Sequence, residues 1–135
     1  MTSIQLRLPV LLSLVLATAN PIVAHALDEC PAASLGFDDR LAAIAAAGTC
    51  TSAYEVLIAC SYDASGDRGL SDQVISMCEK AFIPRLDKQR RAEYERARKA
   101  CATGHARASG SMQVSAIAIC EASVAVRFLR ATVAQ

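Results

Sequence analysis

Tryptophan is absent from this chain of 135 residues, and only three Phe and three Tyr supply aromatic surface. Aromatic rings bury the most area per residue, so a core without them must lean on aliphatic packing or on cross-links. The same scarcity removes the stacking platforms that hold single-stranded nucleic acid, and a nucleic-acid partner is not expected. Histidine is nearly missing too: only His25 and His105 occur. A lone His105 beside Gly104 reads as a loop residue, because zinc or haem would need further ligands. No glycine-flanked serine elbow is present, and His105 is the only candidate base for one. The closest cysteines, Cys50 and Cys60, lie far outside the Cys-x-x-Cys spacing of an active dithiol. Asp63, Ser65 and Asp67 imitate the opening of a calcium loop, but Arg68 and Val74 stand where that loop needs Gly and Glu. Adjacent Asp38 and Asp39 suit a helix start better than paired acid chemistry. The chain reads as a non-enzyme, with no catalytic residue, metal site or cofactor expected.

What is present in quantity is cysteine. Cys30, Cys50, Cys60, Cys78, Cys101 and Cys120 are spread evenly along the chain. An even count in a small exported protein marks a disulfide framework, because oxidising compartments keep such thiols paired. Residues 1–26 have the three parts of a secretion signal: Arg7, an apolar stretch from Leu8 to Ala19, and Ala24-His25-Ala26 before a cleavage point. Roughly 12 apolar residues fall short of the ~20 that a spanning helix requires. Leu27-Asp28-Glu29 ahead of Cys30 is not the small-residue context of a lipid-modified cysteine. Residues 27–135 are therefore expected to form one soluble domain, periplasmic or secreted, with no stable membrane insertion.

Charge is divided along that domain. Leu27 to Glu79 holds nine acids and two bases, whereas Lys80 to Gln135 holds eleven bases and four acids. The two halves are expected to fold against one another and cancel locally, though a dipolar surface could also steer a charged partner.

Ala, Leu, Arg, Glu and Lys dominate, and no alternating β-branched run occurs, so the fold class is all-α, with about five helices. Asp38 or Asp39 is expected to cap the first helix, which stops at Gly48. Ser52 and Glu55 suggest a capping box for the second. The polar run from Asp63 to Gly69 reads as a loop, after which Ser71 caps a third helix. Pro84 either kinks that helix or begins the fourth, which runs to about Thr103. The fourth is mostly charged, with favourable spacings at Asp87 to Arg91 and Glu95 to Lys99. The last, about Ser111 to Ala131, is apolar nearly all round and expected to be central. Cys60, Cys78, Cys101 and Cys120 all fall on apolar stripes. Sequence alone does not fix their pairing, and sequential bridges (30–50, 60–78, 101–120) are the simplest arrangement for antiparallel neighbours.

Gln89-Arg90, Tyr94, Arg98, Cys101, Gly110-Ser111, Cys120 and Arg127 form a series: a charged helix ending in cysteine, a Gly-Ser turn, and a second cysteine followed two turns later by arginine. Over these residues, and over Cys50, Glu55 and Cys60, the chain resembles the LprI-type lysozyme-inhibitor domain of small periplasmic proteins. The resemblance runs from Cys50 to about Arg130. The family's Trp is missing, with Tyr94 the nearest substitute. The spacing is unlike that of insect odorant-binding proteins, which have a Cys-x-x-x-Cys step. The resemblance implies an exported helical binding protein with a lysozyme or another envelope protein as partner. Asp63, Asp67 and Asp72 around the polar loop are the expected surface for a basic lysozyme. The alternatives are a carrier holding a small apolar ligand against Ile117, Val124 and Phe128, or a structural envelope component.

Overall fold

The computed structural model describes residues 29–34, 36–107 and 109–134; residues 1–26, read from sequence as a secretion signal, lie outside them. Five α-helices follow one another: α1 (Phe37–Ala46), α2 (Cys50–Cys60), α3 (Asp67–Phe82), α4 (Lys88–Gly104) and α5 (Gly110–Val133). A 3-10 turn at Ile83–Arg85 separates α3 from α4, and no strand occurs among the described residues. The architecture is the expected all-α one. Helix α5 starts within one residue of the expected Ser111, but the starts of α1 to α4 are not where the sequence suggested.

Gly36, not Asp38 or Asp39, precedes α1, and both acids instead sit in the first turn, where the helix dipole favours them. Gly48 takes a left-handed φ of 75°, which lets α2 begin almost at once. Thr49 caps α2: its Oγ1 accepts from the Ser52 N–H at 3.1 Å and donates to the Ser52 hydroxyl at 2.9 Å. Ser52 is thus already inside the helix and opens no capping box with Glu55. Likewise α3 starts at Asp67, so the loop is shorter than the polar run implied, and Ser71 is fully buried one turn in. Pro84 belongs to the 3-10 turn and neither kinks α3 nor opens α4. Asp87 caps α4 by accepting from the Arg90 N–H at 2.7 Å, while Arg91 donates to the Ile83 carbonyl at 3.3 Å.

Helix α5 packs on α3, α4 and α2, and α3 also holds α2 and α1. Ala53, Ala118, Ala122 and Ala125 are fully buried; side chains this small let the backbones approach closely. The scarce aromatics are concentrated where α3, α4 and α5 meet. The Tyr94 ring centroid lies 5.0 Å from that of Phe82 and 5.1 Å from that of Phe128, edge to face in both cases. Phe128, Ile117 and Val124 all pack into or against this core. At the other end, Arg40 of α1 donates to the Cys60 and Ser61 carbonyls that end α2, and its guanidinium lies 3.8 Å from the Tyr62 ring centre.

All six cysteines are bridged, as Cys30–Cys60, Cys50–Cys78 and Cys101–Cys120. The sequential scheme is correct only for the last. Cys50 and Cys60 occupy opposite ends of α2, about 15 Å apart at 1.5 Å per residue. Cys30, which precedes α1, meets the far end of α2, which leaves Cys50 for α3. The three bridges are compatible with an oxidising compartment.

Candidate functional site

Tyr94 and Arg98 are four apart on α4, so both face α3 and α5. Each finds an acid there. Glu79 Oε1 on α3 accepts from the Tyr94 hydroxyl at 2.7 Å and from Arg98 Nη1 at 3.0 Å. Glu121 Oε2 on α5 accepts from Arg98 Nη2 at 2.9 Å and from Arg68 Nη1 at 3.1 Å. A second bond from Arg68 reaches Glu121 Oε1 at 3.4 Å. The result is one continuous chain, Arg68–Glu121–Arg98–Glu79–Tyr94, across three helices.

Burial alone would raise the Glu121 carboxyl, but hydrogen bonds from Arg98 and Arg68 outweigh it and hold it below the usual carboxylate range. Arg98 is pulled down by the same desolvation and more than restored by Glu121, so it stays charged. Burial, followed by the hydrogen bond to Glu79, pushes the Tyr94 phenol well above its ordinary value. Both carboxylates are therefore occupied by arginine and the tyrosine is kept neutral. The set ties α3, α4 and α5 together.

Beside the network opens a cleft of about 480 Å³, walled by Tyr94, Arg98, Glu79 and Glu121 and edged by Arg91, Glu95 and Lys99. Arg91 and Lys99 are exposed on α4. Cys101, one turn beyond Ala97, bonds α4 to α5 next to Glu121 through Cys120.

Of the three acids expected to form a partner surface, Asp63 and Asp72 reach solvent and Asp67 does not. Asp67 has no solvent exposure; its carboxyl accepts from the Tyr62 N–H at 2.8 Å, the Ala64 N–H at 3.3 Å and the Ser115 hydroxyl at 2.5 Å. It anchors the start of α3 to α5. Asp63 is exposed on a left-handed residue with φ 55°, and Asp72 is exposed 3.8 Å from Arg68. His105 follows α4 at a second cleft of about 430 Å³ with Tyr54, Asp63, Met112 and Ile119. Among the described residues, no three His, Cys, Asp or Glu side chains gather where a metal ion could be held.

Glu79, Glu121 and Arg68 were not singled out from sequence. A signal existed: Glu79 and Glu121 each directly follow a cysteine, and Glu121 is the one acid of the apolar α5. An acid beside a buried cross-link needs a partner nearby.

The chain matches no known protein family, no curated protein and no solved structure.

Proposed function

We propose that this protein is an exported, disulfide-stabilised binding module that inhibits a lysozyme. The observation that carries this reading is convergence. Tyr94, Arg98, Cys101 and Cys120, which carry the resemblance to the LprI-type domain, assemble around one cleft and its supporting bridge. A structural role alone would not require an open cleft over that network. Lysozymes cleave glycosidic bonds with two carboxyl groups flanking the scissile bond. A protein that blocks such a groove gains from cations held on a rigid edge, and Arg91 and Lys99 supply them on α4. The docking face therefore shifts from the acidic loop to the rim of this cleft. The apolar-ligand carrier draws no support from Ile117, Val124 and Phe128, which are spent on core packing.

The test is inhibition of a panel of lysozymes by the oxidised protein, repeated over a salt series. Arg91→Glu with Lys99→Glu is expected to weaken inhibition about tenfold or more, whereas Asp63→Asn with Asp72→Asn leaves it unchanged. The opposite pattern would return the docking face to the acidic loop. Failure against every lysozyme would remove inhibition as the function.

A further inference from the structure

Two separate clefts open along the seam between α2 and α5. One end holds Met112 and Ile119 of α5 with Tyr54 of α2 and Asp63 of the following loop; the other holds Leu129, Arg130 and Val133 of α5 with Thr51 of α2. Helices α2 and α5 are thus antiparallel, and the two clefts lie at opposite ends of the boundary between them. Each cleft has one large exposed apolar side chain at its far end: Met112, 65% exposed, and Val133, 66% exposed. At helical spacing, Met112, Ala116, Ile119, Ser123 and Arg130 form one stripe, about 27 Å long at 1.5 Å per residue.

The charges along the seam indicate the occupant. Asp63 stands at the Met112 end and the exposed Arg130 at the opposite end. A surface with an acid at one end and a base at the other is complementary to itself turned end for end. A two-fold axis near position 121 sets each copy's Met112 end against the other's Arg130 end and Ile119 opposite Ser123. Ala116 and Ser123 are small enough for two α5 helices to approach closely there. We propose that the protein forms a two-fold symmetric dimer through this seam, with α5 antiparallel to its counterpart, α2 flanking on each side, and Asp63 paired with Arg130 across the interface at both ends. The inhibitor cleft opens toward α4 and takes no part, so the two proposals stand or fall separately.

By length and composition α5 would also cross a bilayer. Its bridge to α4 and its packing on α3 favour a protein occupant over lipid. Sedimentation equilibrium and native mass spectrometry of the oxidised protein decide the matter. A reversible dimer is expected, weakened about tenfold or more by either Asp63→Arg or Arg130→Asp and largely restored when both changes are combined. The restoration cannot come from misfolding. A monomer at several hundred micromolar, a dimer indifferent to both single changes, or a monomer carrying bound lipid would each overturn the proposal.

Discussion

A carboxyl group shut away from water must be given donors, and Asp67 receives three: two backbone N–H groups of the preceding loop and the Ser115 hydroxyl of α5. Asp67→Ala strands all of them at once, and a loss of about 3 kcal/mol or more is expected in chemical denaturation. Asp63→Asn, on the exposed neighbour, should change stability by no more than about 0.5 kcal/mol. Sequence reading assigned both to the same solvated loop because each lies in a run of small polar residues. The distinguishing sign was periodicity. Asp67 extends the buried spacing of Leu70, Val74 and Cys78 backward by one turn, so the stripe placed it inside although its chemistry suggested outside. Tyr94 and Arg98 were legible as a stripe and a charge, but their acid partners come from distant helices, and no local pattern joins positions 79, 98 and 121.

The presence and order of all five helices were legible, because Gly48, the polar run that begins at Asp63, Pro84 and Gly104 interrupt strongly helical composition. The first residues of α1 to α4 were not. Several Ser, Thr and Asp stand near each start, and only tertiary packing selects among competing caps. Thr49→Ala is expected to cost about 1 kcal/mol, and Ser52→Ala, within the first turn of α2, clearly less; paired thermal melts separate them. The ties between α3, α4 and α5 carry a pH signature. Glu121 is held below its ordinary value in the folded state, so the native protein is the stronger acid there. Its contribution is complete above the unfolded value of about 4.3 and is lost as pH falls through the folded value. The melting temperature should therefore drop on acidification below about pH 4.5. Arg98→Met should lower the melting temperature at neutral pH and flatten that acid slope.

For the molecule as a whole, small size and a meagre aromatic core make the cross-links decisive. Loops closed over separations of 30, 28 and 19 residues are each worth roughly 3–4 kcal/mol of chain entropy. Replacing Cys50 and Cys78 together by Ala should lower denaturation stability by about that amount, comparable with a sizeable share of the ~5–15 kcal/mol typical of a domain. Composition announced the staples, but not their pairing, since that depends on which end of α2 the segment before α1 reaches. The pairing also has a history built into it. The spans 30–60 and 50–78 interleave, whereas 101–120 stands apart. On the proposed export, a chain that enters an oxidising space N-terminus first presents Cys50 to Cys30 while Cys60 is still behind. Oxidation in order of arrival then yields a 30–50 link that the finished fold must undo by thiol–disulfide exchange. Maturation should consequently depend on a disulfide isomerase for the first two bridges and not for the third. Peptide mapping of protein made without that isomerase should recover 30–50 and 60–78 links beside a correct 101–120.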